Sequence, residues 1–214
     1  MADVTELLPD FPGFACQYDP NKNPFFRPIM VENLRKLKSV DLGRKLLDDI
    51  AGANPRQRGD FPPGVNVMAV PTEIHFVQSG HRLEAVYEED HSRTVTGMSP
   101  SANPAYAPDG CPFWIDGGSS NAAVDTMAAG NGTGSVCFMR FHNAQVMTRK
   151  GEKADPYIVL GHELIHSLLA LTGTTKDGRD EELWTTGLGA FADEPICENM
   201  LRKAFGLALR AKYF

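Results

Sequence analysis

Apolar residues recur at two different spacings along the first half of the chain. Between residues 31 and 51 they lie three or four positions apart, which predicts one amphipathic helix or two in succession, with Gly43 as the weak point. Residues 65–70 and 72–77 alternate between apolar and polar and carry β-branched side chains, so they predict a strand interrupted at Pro71. This half of the chain is therefore expected to mix helix and sheet.

A long stretch rich in Gly, Pro, Ser and Asn runs from residue 88 to residue 134. Residues 83–87, just before it, are a weaker strand candidate. A structureless loop of that length is unusual in a compact domain, so we expect short strands inside it, with residues 111–115 the best candidate. Residues 134–141, at its end, predict a further strand.

The pattern becomes helical after Asp155. Asp155 can cap a helix that begins at Pro156, because proline is favoured at the first helical position, and Gly173 can end that helix. Two more helices are predicted, one from about residue 180 and one over about residues 195–205. Strands followed by helices are typical of an α+β fold.

Residues 1–30 follow neither spacing. They are rich in proline and phenylalanine, at Pro9, Phe11, Pro12, Phe14, Pro20, Pro24, Phe25, Phe26 and Pro28. This composition predicts an extended arm or irregular wrap, which is either flexible at its start or a secretion signal. Residues 31–214 are expected to form one globular domain, because a chain of 214 residues suits a single core.

Composition and charge exclude several classes of function. A hydrophobic content of 42% is ordinary for a soluble protein, and the apolar stretches are far too short for a membrane span, so no membrane insertion is expected. A net charge of -6 without a basic stripe argues against a nucleic-acid partner. No apolar segment follows the acidic start, so no cleavable signal peptide is expected. The four scattered cysteines lack a CxxC pair and are expected to be reduced.

The apolar run of residues 157–169 contains one chemical motif, His162-Glu163-Leu164-Ile165-His166. Residues four apart share a helix face, so the two imidazoles can hold one metal ion. Glu163 can then reach a water on that metal and act as a general base. Since a buried helix is an unfavourable place for two histidines and a glutamate without partners, the motif predicts a zinc site and hydrolysis.

A catalytic zinc usually has three protein ligands and a water. No histidine follows His166, so the third ligand is expected to be a carboxylate, and Glu181 and Glu182 at the start of the next predicted helix are the candidates. One of the two would only place negative charge at a helix N-terminus, where it is favourable. We exclude the remaining histidines, which are His75, His81, His91 and His142.

The segment from the motif to the C-terminus resembles two protease families. Glu181-Glu182-Leu183 after the His-Glu-x-x-His motif is similar to the zinc-binding segment of clostridial neurotoxin light chains, where the second Glu of such a run is a ligand. A shorter family, the NleD-like type III secreted zinc metalloprotease effectors, resembles the end of the chain more fully, in residues 198–202 and 207–213. The resemblance covers about residues 134–213, and residues 1–130 carry no matching motif.

The resemblance implies a zincin-like, gluzincin-type domain in which a small mixed sheet packs on the active-site helix. Zn²⁺ would be held by His162, His166 and Glu182, with Glu163 as the base. It also implies three further roles, at Glu198, Arg210 and Tyr213. The first would accept the free N–H of a zinc-bound histidine, and the other two would stabilise the negative oxygen of the tetrahedral intermediate.

Three classes of function remain open. The first is an endopeptidase effector that leaves a bacterium without a cleavable signal peptide, by type III secretion, and cleaves a host signalling protein in the host cytoplasm. The NleD-like resemblance favours mitogen-activated protein kinases as its substrates, and the light-chain resemblance points to vesicle-fusion proteins of the SNARE type. The second is a zinc hydrolase such as a housekeeping peptidase, and the third is a non-catalytic interaction protein. The strand of residues 134–141 is expected to offer an edge to a peptide substrate.

Overall fold

The computed structural model describes residues 3–55, 61–71, 74–79, 82–87, 94–96, 134, 136–141, 146–147, 153–176 and 178–212. The strands are β1 (Val4–Leu7), β2 (Phe14–Tyr18), β3 (Val67–Pro71), β4 (Ile74–Ser79), β5 (Arg82–Tyr87), β6 (Thr94–Thr96), β7 (Cys137–Phe141), β8 (Val146–Met147) and β9 (Lys153–Ala154). The helices are α1 (Phe26–Lys38), α2 (Asp41–Gly52), α3 (Pro156–Thr172), α4 (Gly178–Thr186) and α5 (Glu198–Ala204), with a short 3-10 helix at Gly189–Phe191. The fold is mixed α+β. Among the described helices, none combines the length and hydropathy that a membrane span requires.

The main sheet has the strand order β1-β2-β3-β7 and is mixed. β1 runs antiparallel to β2, and β2, β3 and β7 run parallel to one another. Side chains alternate between two apolar layers, since Val67 and Ala69 of β3 face the helices whereas Met68 and Val70 pack on the other side. Both faces of β3 are therefore buried. Two smaller antiparallel groups, β4-β5-β6 and β8-β9, complete the strands.

The N-terminal segment contains two strands, whereas its composition predicted an extended arm or irregular wrap. Residues 4–18 form β1 and β2, and β2 pairs with β3 inside the sheet, with Phe14 opposite Val67. Phe14 is 3% exposed and Cys16 is fully buried. Both strands are short, and β2 pairs with a strand about fifty residues away in the sequence, so local composition does not indicate them. The domain boundary at residue 30 and a role as a secretion signal stay predictions.

The 31–51 region forms two helices, and Gly43 is a close contact rather than a weak point. A Cβ at Gly43 would lie 1.9 Å from the carbonyl oxygen of Leu37, the last buried residue of α1. Only glycine lets the first turn of α2 approach α1 so closely. Gly43 therefore sets the corner between the two helices.

Helix α3 is the centre of the helical layer and is buried on nearly every side, as expected of a helix that is apolar all round. It packs against α1, α2, α4, α5 and β7. Pro156 occupies its first turn as predicted, and Gly173 ends it with φ +67°, donating its N–H to Ala170 and Leu169 carbonyls. Asp155 precedes it but forms no side-chain cap hydrogen bond.

The other helices and strands predicted from the sequence are confirmed where the structure describes the residues. β4, β5 and β7 correspond to the strands predicted from residue 72, over residues 83–87 and over residues 134–141, and β6 is a short strand inside the long polar stretch. The helices predicted near residue 180 and over residues 195–205 are α4 and α5. The strand predicted over residues 111–115 lies outside the described residues.

Candidate metal centre

The residues of the His-Glu-x-x-His motif lie in the middle of α3 and are almost inaccessible to solvent. His162, Glu163 and His166 are 8%, 6% and 7% exposed. Next to them, a Cβ at Gly161 would lie 2.7 Å from a methyl of Leu201 on α5, so the absence of a side chain there permits close packing. Because polar groups in such surroundings need partners, the contacts of these three residues define what the site can do.

Three potential ligand atoms converge on one point between α3 and α4. The Nε2 atoms of His162 and His166 lie 3.2 Å apart, and each is 3.4 Å from Oε2 of Glu182. Two imidazole nitrogens and a carboxylate oxygen bound tetrahedrally to one zinc ion, at about 2.0–2.1 Å, would lie about 3.3–3.4 Å from one another. The three distances match the base of a zinc tetrahedron.

The chemistry of the donor set also fits a metal ion. The Oε2 atom of Glu182 is buried, and within the described part of the chain it accepts no hydrogen bond. The two histidine Nε2 atoms are also only 3.2 Å apart, so they cannot both carry a hydrogen that points at the other nitrogen. A cation between the three atoms would satisfy the carboxylate oxygen and both nitrogen lone pairs. Among the described residues, this is the cluster of His, Cys, Asp and Glu side chains that could hold a metal.

The other ring nitrogen of each histidine faces a second carboxylate. Nδ1 of His162 lies 2.9 Å from Oε2 of Glu198, and Nδ1 of His166 lies 2.7 Å from Oε1 of Glu181. A carboxylate in this position accepts the Nδ1–H, so that Nε2 is the nitrogen with a lone pair to offer. Both imidazoles are thereby held with Nε2 towards Glu182.

The carboxylate of Glu181 is itself held in place, since its Oε2 accepts the backbone N–H of Lys176 at 3.0 Å. Thr185 Oγ, one turn further along α4, lies 3.4 Å from Nδ1 of His166. Glu181 therefore binds Nδ1 of His166, whereas Glu182 faces the Nε2 atoms of both histidines. Of the two carboxylates that the sequence leaves open, the geometry favours Glu182 as the third metal ligand.

Glu198 is the hub of a buried network that joins the metal centre to the C-terminal segment. It is 2% exposed, and besides the contact with His162 it accepts hydrogen bonds from Nε of Arg202 at 2.6 Å and from an Nη of Arg210 at 2.8 Å. Arg202 is equally buried and also donates to the carbonyl of Ala208. Two guanidinium groups neutralise a carboxylate that would be costly to bury alone.

Asn199 fixes the backbone at Arg210. Its side-chain oxygen accepts the N–H of Arg210 at 2.8 Å, and its side-chain nitrogen donates to the Arg210 carbonyl at 2.9 Å. This pair of hydrogen bonds holds residue 210 beside α5. The segment that carries the predicted Arg210 thus has a defined place next to Glu198.

The charges of the site depend on one another. Burial lowers the pKa of His162, but the carboxylates of Glu182 and Glu198 outweigh it and raise that pKa to about 9. Burial likewise acts on His166, yet Glu182 and Glu181 raise its pKa well above the ordinary value. Burial raises the pKa of the Glu182 carboxyl, and the histidines outweigh it and hold that pKa far below its usual range. The carboxylates around the two histidines therefore favour positive charge at the site, and in the metal-free protein this charge is a proton on an imidazole.

The sequence placed His162, Glu163, His166, Glu182, Glu198 and Arg210 as site residues, and the structure brings all six to α3, α4 and the α5 region. Tyr213 lies outside the described residues, and so do the side chains of the four excluded histidines. Sequence reasoning assigned no partner to Arg202 and gave Asn199 no role. The spacing of four between Glu198 and Arg202 on one helix was the available signal for the first.

Comparison with known proteins gives little independent information. No protein-family model matches the chain, and no curated protein matches it. Among solved structures, it is similar to the crystal structure of the botulinum neurotoxin type D light chain, with 15% sequence identity and a TM-score of 0.43. The match covers 91% of this chain and 59% of the light chain, so the chain spans about three fifths of that neighbour. A likeness this distant fixes no function, and it does not show the NleD-like membership expected from residues 134–213.

Proposed function

We propose that this protein is a zinc-dependent endopeptidase. The observation that carries the proposal is the triangle formed by Nε2 of His162, Nε2 of His166 and Oε2 of Glu182, whose sides of 3.2, 3.4 and 3.4 Å suit a tetrahedral zinc ion. Three protein ligands leave a fourth position for water, which is the arrangement of a catalytic site. A purely structural site would have four protein ligands.

A zinc ion bound there would supply a Lewis acid, which lowers the pKa of a water and polarises the scissile carbonyl. Glu163 follows His162 directly on α3 and is buried. It is suited to accept the proton of the attacking water and to pass it to the leaving amine. A non-catalytic site would have no use for a base at this position, which favours an enzyme over an interaction protein.

Glu198 and Glu181 would act through the two histidines. Each accepts an Nδ1–H, which fixes the tautomer and the orientation of the imidazole. Arg210, which donates to the same Glu198 oxygen that faces His162, and Tyr213 are proposed to stabilise the oxyanion of the intermediate, as the family resemblance implies.

Among the described strands, β7 forms one edge of the main sheet, and it packs on α3. An extended peptide can add to such an edge through main-chain hydrogen bonds. We propose that β7 positions the substrate backbone beside the metal centre.

For the substrate we propose a host signalling protein of the mitogen-activated protein kinase class, cleaved after type III secretion into the host cytoplasm. The support is the likeness of residues 198–202 and 207–213 to the NleD-like effectors. Vesicle-fusion proteins are the alternative substrates, and a housekeeping peptidase is the alternative role. Comparison of the protein termini in host cells exposed to the active protein and to Glu163→Ala would identify the substrate.

Replacement of the proposed base separates chemistry from metal binding. We expect Glu163→Ala to bind about one zinc per chain and to lose cleavage by roughly a hundredfold or more, since a positioned base contributes about 10²–10⁴-fold. Zinc content and peptide hydrolysis are measured on the same samples. Glu32→Ala, which removes an exposed carboxylate on α1, is the matched control and should cleave normally. Unimpaired cleavage by Glu163→Ala would refute the mechanism.

A further inference from the structure

A cavity of about 510 Å³ opens between α2, α3, α4 and the segment of residues 194–196. We call it the α2–α3 cavity. It is distinct from the metal centre, because none of the three proposed ligands lines it. Helices α3 and α4 contribute residues to both the cavity and the metal centre. Its volume is within the range of about 300–1,000 Å³ that is typical of ligand sites.

The floor of the α2–α3 cavity is apolar. Ile165 and Leu169 of α3 are 2% and 5% exposed, and Leu168, Trp184 and Ile196 complete the surface around them. The Trp184 ring already has a cation near it, since Nζ of Lys176 lies 4.4 Å from its centroid. The cavity can therefore take an apolar side chain and remove it from water.

The mouth of the cavity is acidic. Asp48 and Asp49 come from α2, and Glu194 comes from the segment of residues 194–196. The described lining residues include no Lys or Arg. Nζ of Lys45 lies 2.7 Å from the carboxylate of Asp49, and Lys176 lies over the ring of Trp184. The three carboxylates of the lining thus outnumber these two lysines.

The position of these charges on α2 is unfavourable for the helix itself. Asp48 and Asp49 lie near its C-terminal end, where the helix dipole is negative, and the last turn contains no basic residue. Carboxylates at such a place destabilise a helix, and the ion pair with Lys45 offsets this effect only for Asp49. Residues that break a local rule are typical of functional sites.

We propose that the α2–α3 cavity is a second binding site, which takes a polypeptide segment with an apolar side chain between basic residues. The apolar side chain lies on Ile165 and Leu169, and the flanking cations reach the carboxylates that two separate elements place at the mouth. This charge complementarity selects a basic segment over an acidic one. Binding here is independent of catalysis at the metal centre.

Trp184 reports directly on the cavity. The chain has two tryptophans, so Trp114→Phe leaves Trp184 as the sole indole. The probe is a capped hexapeptide with two leucines between pairs of arginines, added to the zinc-loaded full chain that also carries Glu163→Gln and therefore does not consume the peptide. We expect saturable change of Trp184 fluorescence with a Kd below about 1 mM.

Gly52 supplies a pair of variants that fill or spare the cavity. It lines the cavity, and a Cβ at this position would meet nothing within 4 Å. We expect Gly52→Phe to occupy the space and weaken the peptide at least about tenfold, because the leucine can no longer be buried. Gly52→Ala should bind as the parent does, and thermal melts confirm that both variants fold.

Three results would overturn the proposal. One is no saturable binding of the arginine peptide, and another is unchanged binding by Gly52→Phe. The third is equal binding of a peptide in which glutamates replace the arginines. If octyltrimethylammonium binds where the arginine peptide does not, the cavity is a small-molecule site and the proposed occupant is wrong. None of these results depends on whether the metal centre cleaves peptides.

Discussion

At the scale of single residues, each histidine of the metal centre contacts two carboxylates with different roles. Nε2 of His162 and of His166 face Glu182, whereas the Nδ1 atoms face Glu198 and Glu181. Adjacent residues in the sequence, Glu181 and Glu182, therefore serve opposite sides of the same imidazole. Substitution of Glu181 and substitution of Glu182 should therefore change zinc affinity by different amounts, although the two side chains are chemically identical.

The raised histidine pKa values predict how zinc binding depends on pH. In the metal-free protein the pKa of His162 is about 9, above its ordinary value, so this imidazole is protonated below that pH and zinc has to displace the proton. We expect zinc binding at pH 7 to release at least one proton, and zinc affinity to rise as the pH increases towards about 9. Calorimetric titration in buffers of different ionisation enthalpy measures the release. Zinc affinity that does not change between pH 6 and 8 would contradict the raised pKa.

Local sequence singled out the two histidines and left the carboxylate open between Glu181 and Glu182, and it did not indicate their supporting contacts. The spacing of His162 and His166 fixes a shared helix face, and the shortage of further histidines points to a carboxylate. The partners of Nδ1 come from α4 and α5, so they depend on how these helices pack on α3, and no local pattern encodes that. The resemblance of the C-terminal segment supplied Glu198, and Glu181 was known only as one of two candidates.

At the scale of elements, the two glycines of α2 have opposite environments. A Cβ at Gly43 would lie 1.9 Å from the backbone oxygen of Leu37, and a Cβ at Gly52 would meet nothing. Alanine removes the entropic cost of glycine in a helix at both positions, so the difference between the two variants isolates the contact with α1.

We expect Gly43→Ala to lower the free energy of unfolding by about 1–3 kcal/mol, because the backbone of α1 has to move. Gly52→Ala should raise it by up to about 1 kcal/mol. Urea denaturation of the two variants and the parent measures both changes. Equal stability of the two alanine variants would show that α1 and α2 do not approach each other at Gly43.

Prediction of elements succeeded where the signals are local. Pro156 and Gly173 mark the ends of α3, and alternation marks β3 and β4. It did not succeed for β1 and β2, since these strands gain their stability from the pairing of β2 with β3 across the fold. A segment rich in proline and phenylalanine is compatible with either an arm or a strand until its partner is known.

At the scale of the whole molecule, the metal centre joins parts of the chain that are distant in the sequence. α3 supplies the two proposed histidine ligands and the proposed base, α4 supplies the proposed carboxylate ligand, and α5 with the following segment supplies the network around Glu198. Zinc bound between α3 and α4 would stabilise the folded chain, because the unfolded chain does not present the three ligands together. The account therefore depends on one zinc ion held by His162, His166 and Glu182.

Native mass spectrometry of the intact chain tests this claim most directly. After incubation with equimolar zinc and buffer exchange, we expect the mass of one zinc on the parent protein and on Glu181→Gln. The amide oxygen of Glu181→Gln can still accept the Nδ1–H of His166, so this variant should bind zinc, although about tenfold more weakly than the parent. Glu182→Gln should carry none, because it lacks the third ligand. Zinc retained by Glu182→Gln but lost by Glu181→Gln, or a parent chain that takes up no zinc, would contradict the account.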